Sequence, residues 1–222
     1  MGRLTQEEVN SLYKMLYILD QLFQKYNIKY VLMSGSLLGA VRDKGLIISD
    51  DDVDLSIAES DEHKLQYVKH DLAKYDYVLK KTDPLGRVIY KVFETNGQKV
   101  CKDLKLFNYC MKFKFPFVDI FILRNCNGRV TFRDPINKLM YGKEWFSIDE
   151  LLPIRRAKFG PLEVSVPNNP IPYLIRTYGR DCFVKKRSTF DHKNLKIQLS
   201  ESEVTYEHEI PSIDVTEFYK QI

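Results

Sequence analysis

The segments Met33-Ser34-Gly35-Ser36 and Asp50-Asp51-Asp52-Val53-Asp54-Leu55 decide the fold of this chain. The first is a Gly-Ser turn that leaves an apolar strand, and the second places an Asp-apolar-Asp pattern on another apolar run. Because side chains alternate along a strand, Asp52 and Asp54 are expected on one face, with the intervening apolar residues in the core. Adjacent carboxylates repel each other, and a hard cation such as Mg²⁺ removes that cost. The pattern predicts divalent-metal phosphoryl chemistry of the nucleotidyltransferase type.

Acidic runs of this kind are also typical of solvated turns, and an isolated Asp-x-Asp pattern carries little information. The order of elements favours a metal site here: helix, apolar strand, Gly-Ser turn, short helix, glycine turn and acidic strand. The turn can bring backbone N–H groups and a hydroxyl close to a phosphate held by the same metal. Gly35 and Ser36 are therefore candidate substrate-binding residues.

The flanking sequence predicts how this unit is built. Thr5 and Glu8 form a capping box, and apolar residues recur at helical spacing to about Tyr26, which indicates an N-terminal helix. Strands are expected over residues 30–33 and 52–57. The predicted class is α+β, with a mixed sheet flanked by helices.

One further carboxylate stands out. Asp119 lies in the otherwise apolar run Phe117-Val118-Asp119-Ile120-Phe121-Ile122. A buried aspartate needs a partner, and a metal or a catalytic proton-accepting role would explain it. A structural, hydrogen-bonded aspartate is the alternative. Upstream, Asn96-Gly97 is a typical turn signal.

Composition limits the class of protein. The chain has 222 residues, 44% of them hydrophobic, which suits one globular domain, and its net charge of +4 is too small to indicate a nucleic-acid surface. No apolar run is long enough for a membrane-spanning helix and no signal peptide is evident, so a cytoplasmic, soluble protein is expected. The cysteines lack metal-binding spacing, so zinc is not expected. We expect the thiols to be reduced and partly buried. These are Cys101, Cys110, Cys126 and Cys182.

The last part of the chain is polar, with a basic patch at residues 185–187 and an acidic part around residues 201–209. We expect a catalytic domain over residues 1–183 and a C-terminal extension over residues 184–222. This extension is expected to be a small helical or irregular appendage, peripheral or partly disordered.

The acidic motif resembles a known signature. Residues 35–42, Gly-Ser-Leu-Leu-Gly-Ala-Val-Arg, and residues 45–54, Gly-Leu-Ile-Ile-Ser-Asp-Asp-Asp-Val-Asp, are similar without a gap to the signature of the LicD/fukutin family. Weaker similarities extend the likeness to residues 7–183. They are Tyr90-Lys91-Val92, Val118-Asp119-Ile120-Phe121, Leu152-Pro153, Val166-Pro167 and Tyr178-Gly179.

The resemblance implies a nucleotidyltransferase-like core and an enzyme. It implies transfer of a phospho-alcohol, such as phosphocholine or ribitol phosphate, from a CDP-linked donor to a hydroxyl of a glycan or glycoconjugate. Asp52, Asp54 and Asp119 would be catalytic and would hold Mg²⁺ or Mn²⁺. Gly35, Ser36, Arg42 and Lys91 would bind substrate. Ile48-Ser49 stands where the family has Pro-Trp, so the donor head group stays open.

Two other functions remain open at this stage. The same carboxylates could serve a nucleotidyltransferase that places a nucleoside monophosphate on a small molecule, a protein or RNA. A relative without turnover could instead bind a nucleotide or a glycan. No nucleic-acid partner is expected.

Overall fold

The structure, a computed structural model, describes residues 4–82, 87–104, 107–203 and 208–212. Its helices are α1 (Gln6–Lys25), α2 (Ser34–Leu38), α3 (Leu65–Leu72), α4 (Pro135–Met140), α5 (Ile148–Leu151) and α6 (Ile171–Tyr178). Its first strands are β1 (Tyr30–Leu32), β2 (Leu46–Ile47), β3 (Val53–Ala58), β4 (Tyr77–Thr82), β5 (Ile89–Leu104) and β6 (Phe107–Cys126). The later strands are β7 (Arg129–Phe132), β8 (Phe146–Ser147), β9 (Arg155–Phe159), β10 (Leu162–Val166), β11 (Lys185–Asp191), β12 (Lys196–Glu203) and β13 (His208–Glu209).

The N-terminal helix follows its sequence signals. Thr5 caps α1 and exchanges both capping-box hydrogen bonds with Glu8, as predicted. The apolar face of α1 is fully buried at Leu12, Leu16 and Phe23, and it packs against β6, α3 and β10. Burial of each such side chain stabilises the fold by about 1.5–3 kcal/mol.

The central sheet is mixed, which confirms that part of the prediction. Its strand order is β1-β3-β6-β5-β4, extended by β7 on β6 and β8 on β7. Strands β3 and β6 run parallel, whereas the other pairs are antiparallel. Both strands of the parallel pair are mostly apolar, consistent with burial on both faces. Their shared register brings two distant segments of sequence side by side.

Strands β5 and β6 form a longer ribbon than the sequence predicts. Asn96-Gly97 does not end β5, because the strand continues through it with a shift of register between Phe93 and Gln98. A β-bulge of this kind bends the ribbon without breaking it. Further along, Cys101 and Cys110 face each other across the two strands and form a disulfide. The expectation of four reduced thiols is wrong for this pair.

The C-terminal extension also differs from the prediction. Its described part contains no helical appendage beyond residue 184; instead, β11 and β12 pair as a hairpin and β13 pairs with β2. Alternating polar residues in a two-stranded ribbon lack the apolar periodicity on which strand prediction depends. The hairpin lies against the acidic part of the fold described below. Among the described residues, no helix has the length and apolar character required to span a bilayer.

Candidate active site

The parallel pairing of β3 with β6 builds the centre of the site. Asp54 on β3 and Asp119 on β6 occupy facing register positions. Asp52 immediately precedes β3 and shares the side of Asp54 by strand alternation. Oxygen atoms of Asp52, Asp54 and Asp119 all lie within 4.8 Å of one another. The structure therefore brings together the three carboxylates that the sequence analysis singles out.

Burial makes this group of carboxylates electrostatically costly. Burial, together with the charge of Asp51 and Asp119, raises the pKa of Asp52 to about 6, although His192 and Lys91 oppose the shift. Burial, together with the charges of Asp52 and Asp119, raises the pKa of Asp54 well above its usual range. Hard divalent cations prefer oxygen ligands and offset such repulsion. The three residues could hold a metal ion, and their oxygen donors fit Mg²⁺ or Mn²⁺.

Lys91 supplies an internal positive charge. It faces Asp119 across β5 and β6, and its Nζ lies 2.6 Å and 2.7 Å from the two carboxylate oxygens. Both side chains are almost completely buried, at 5% and 6% exposure. The ammonium also lies 3.5 Å from the ring centroid of Phe117. Lys91 is thus part of the acidic centre, and it is the ionic partner of Asp119.

Gly35 and Ser36, predicted as a turn before a helix, lie instead in the first turn of α2, and this Gly-Ser turn is joined directly to β3. Ser36 Oγ accepts a hydrogen bond of 2.9 Å from the backbone N–H of Asp54. A Cβ at Gly35 would clash with Oδ2 of Asp50, so the absence of a side chain at Gly35 permits this close approach. Burial and the neighbouring carboxylates raise the pKa of Asp50 to about 8. The turn therefore lies against residues 50–54. The Ser36 hydroxyl, which accepts one hydrogen bond here, can still donate another.

A buried glutamate supports the turn from the other side. Ser34, which has a positive φ of 49°, and Tyr173 each donate a hydroxyl hydrogen bond of 2.6 Å to Glu144 Oε2. Tyr173 Oη also accepts a hydrogen bond of 3.1 Å from the Ser34 backbone N–H. Burial raises the pKa of Glu144, although these hydroxyl donors oppose the shift. The sequence analysis did not identify Glu144, because a glutamate between a lysine and a tryptophan carries no motif.

Arg42 has a different environment from the other predicted substrate-binding residues. Its guanidinium is buried, and its Nε donates a hydrogen bond of 2.7 Å to Asp43. Its Nη1 donates one of 2.9 Å to the carbonyl oxygen of Cys182. These contacts tie the segment after α2 to the segment after α6. Substrate binding by Arg42 stays a prediction.

The structure adds His192 to the site. Its backbone N–H donates a hydrogen bond of 2.9 Å to Asp51 Oδ2, and its ring Nδ1 lies 2.7 Å from Asp51 Oδ1. The same Nδ1 is 3.6 Å from Asp52 Oδ2. Burial lowers the pKa of His192, but the carboxylates of Asp52 and Asp51 outweigh this and raise it to about 9. A single histidine in a polar segment gave no sequence signal for this contact.

Comparison with known proteins agrees with the motif. The family model described as "LicD/FKTN/FKRP, nucleotidyltransferase domain" matches residues 27–169. This range includes the Gly-Ser turn, the three clustered carboxylates and Lys91. His192 lies beyond it.

Two relatives and one solved structure are also similar. An uncharacterized protein of Rickettsia prowazekii (strain Madrid E) is 32% identical over 176 residues, covering 79% of this chain and 57% of the relative. An uncharacterized protein of Rickettsia typhi (strain ATCC VR-144 / Wilmington) is 32% identical over 79% of this chain and 48% of the relative. The chain thus spans about half the length of these relatives.

The solved structure is that of the lincosamide antibiotic adenylyltransferase LnuA with lincomycin bound. It has 14% sequence identity and a TM-score of 0.42, with coverage of 78% of this chain and 86% of that chain. The family model carries the assignment by itself, since it matches well over half of the sequence in one continuous range. The chain belongs to the LicD/FKTN/FKRP family.

Proposed function

We propose that this protein is a Mg²⁺-dependent transferase that moves a phospho-alcohol from a CDP-linked donor to a glycan hydroxyl. Phosphocholine and ribitol phosphate are the donor groups that the family resemblance implies. The observation that carries the proposal is the convergence of Asp52, Asp54 and Asp119 beside the Gly-Ser turn, within the range of the family match.

Asp52, Asp54 and Asp119 would hold the metal. When bound, Mg²⁺ or Mn²⁺ supplies positive charge that offsets the charge of the donor phosphates. Around it, Ser36 can donate its hydroxyl proton to a phosphate oxygen, and Gly35 leaves space for the phosphate to approach the backbone. Lys91 is the buried ammonium available to a phosphate oxygen at the same centre.

The reaction is an in-line displacement at the β-phosphorus of the donor. A bond forms between the acceptor hydroxyl oxygen and this phosphorus, while the bond to the oxygen shared with the α-phosphate breaks and CMP leaves. Asp119 accepts the hydroxyl proton. Both of its carboxylate oxygens contact Lys91 Nζ, so Asp119 acts mainly by positioning the hydroxyl.

Donor incubation tests this function. The full chain is incubated with Mg²⁺, a glycan acceptor and either CDP-choline, CDP-ribitol or labelled nucleoside triphosphates, and released products are separated. Metal-dependent release of CMP with labelling of the acceptor supports the proposal. Pyrophosphate release from a triphosphate would instead identify a nucleotidyltransferase, and absence of any turnover would favour a binding relative.

Asp54→Asn is the matched control, because it removes a ligand charge without changing the side-chain volume. Product that forms equally with this variant comes from a contaminant or from chemistry elsewhere. The acceptor-free reaction is a second control, since slow hydrolysis of the donor would also release CMP.

A further inference from the structure

The hairpin of β11 and β12 makes an unusually complete contact with one acidic residue. His192, immediately after β11, hydrogen-bonds to both carboxylate oxygens of Asp51. The His192 backbone N–H contacts one oxygen and the His192 ring contacts the other. Asp51 is buried, with 6% of its surface exposed. Two hydrogen bonds from one residue determine both the position and the rotation of a carboxylate.

The histidine is itself held in place. Its ring packs edge-on against Phe117 at 5.6 Å and against Phe190 at 4.9 Å between ring centroids. The preceding Asp191 accepts hydrogen bonds of 2.9 Å from the backbone and the side chain of Asn194, which closes the turn of the hairpin. Lys193 Nζ contacts Glu8 Oε1 on α1 at 2.5 Å. The residues on both sides of His192, Asp191 and Lys193, are therefore held by hydrogen bonds.

Asp51 is not one of the three clustered carboxylates Asp52, Asp54 and Asp119, but it is the residue that precedes Asp52 in the sequence. Asp52 follows it directly, and β3 begins only at Val53. The position of Asp52 thus depends on the loop before the strand, outside the β3–β6 ladder, which begins at Val53. The hydrogen bonds that hold Asp51 therefore restrict the backbone conformation at the adjacent Asp52.

We propose that His192 is a positioning residue for the metal centre, acting through Asp51 to hold Asp52 toward Asp54 and Asp119. The inference deepens the proposed function and rests on it. The hairpin then completes a site whose ligands all lie within the family-matched residues, although His192 itself lies outside them.

Mn²⁺ binding to the full chain, without any nucleotide, tests this role. Loss of a residue that orients a ligand typically weakens metal affinity by about 10–100-fold. We expect this loss for His192→Phe, which keeps an aromatic ring between Phe117 and Phe190 but has no nitrogen. His192→Asn places an amide N–H close to the Nδ1 position and is expected to bind Mn²⁺ within a few-fold of wild type. His70→Asn, at an exposed position on α3, is the control and is expected to bind like wild type.

The two variants at position 192 separate hydrogen bonding from packing. If the histidine only fills space, the order reverses: the Phe variant binds normally and the Asn variant fails, which would overturn the inference. If thermal melting shows that His192→Phe does not fold, Asn is compared with His192→Gln, whose amide extends too far to replace Nδ1. Equal Mn²⁺ affinity of these two would then refute the role.

Failure of the proposed function is recognised separately. If wild type binds no Mn²⁺, both the metal-dependent function and the role of His192 are wrong. If wild type and His192→Phe bind Mn²⁺ equally, only the role of His192 is wrong.

Discussion

Replacement of Lys91 by methionine leaves the Asp119 carboxylate buried without its ammonium partner. In the structure this pair has two contacts, of 2.6 Å and 2.7 Å, and both side chains are almost fully buried. Methionine retains most of the side-chain volume and can pack against the ring of Phe117. Removal of one partner from a buried pair costs about 3–5 kcal/mol, because the remaining charge is uncompensated.

For a chain of this size, that loss corresponds to a decrease in Tm of about 6–20 °C. Lys91→Met, Asp119→Asn and the double variant are melted in the absence of divalent metal. The double variant has no buried charge at this pair, so we expect it to be more stable than the sum of the single losses predicts. Lys25→Met is the control, since the Lys25 side chain is 57% exposed in its pair with Asp71, and its loss is expected to lower the Tm much less than Lys91→Met does.

Divalent metal adds a second measurement. Mn²⁺ supplies positive charge beside Asp119, so its addition is expected to raise the Tm of Lys91→Met more than that of wild type. A Lys91→Met variant that melts within about 3 °C of wild type would refute the electrostatic reasoning. Strictly additive losses in the double variant would refute the coupling between the two residues.

Three other variants probe the rest of the structure. Asp54→Asn is expected to abolish both turnover and the Mn²⁺-dependent rise in Tm while the metal-free protein melts no lower than wild type, because a repelling buried carboxylate is gone; near-normal activity at saturating Mg²⁺ would contradict the metal assignment. Gly35→Ala places a methyl group against Asp50 Oδ2, so calorimetric titration with a CDP-alcohol is expected to show weaker donor binding, and unchanged affinity would mean that the turn serves the fold only. A hydrogen bond from Lys25, with others from a second lysine and a tyrosine, holds the pKa of Asp71 well below its usual range. Ionised Asp71 therefore stabilises the fold above about pH 4 and less as the pH falls, so Asp71→Asn is expected to lower the Tm at neutral pH with a deficit that shrinks in acid; a deficit independent of pH would exclude this linkage.

The sequence was informative where local rules determine structure. The capping box at Thr5 and Glu8 and the acidic strand after Asp52 depend on spacing within a few residues, and both lie where expected. Asp119 could be singled out because a carboxylate in an apolar run is costly without a partner. Its ionic partner, Lys91, could be singled out from the sequence only through family resemblance, as a substrate-binding residue.

Long-range contacts account for what the sequence analysis missed. Asp51 and His192 are separated by 141 positions, and nothing in either segment specifies that they meet. Cys101 and Cys110 face each other because the register of β5 and β6 shifts at a β-bulge. The Asn96-Gly97 pair at this place predicts a turn, and the bulge stands there instead. Such features depend on strand pairing and register rather than on composition.

Lys91 and His192 also explain how the fold accommodates the buried carboxylates of the acidic centre. Asp119 receives the ammonium of Lys91 from β5, and Asp51 receives the imidazole and backbone N–H of His192 from the C-terminal hairpin. Each contact offsets part of the repulsion between carboxylates that burial would otherwise make prohibitive.

The two positive groups are not equivalent. Lys91 contacts both carboxylate oxygens of Asp119, a member of the candidate metal-binding set, whereas His192 hydrogen-bonds to Asp51, which is next to that set. If Asp119 holds a metal ion as proposed, Lys91 must share or release this carboxylate, and a donor phosphate at the same centre would provide an alternative partner for its ammonium. Metal and donor are then expected to bind with positive cooperativity.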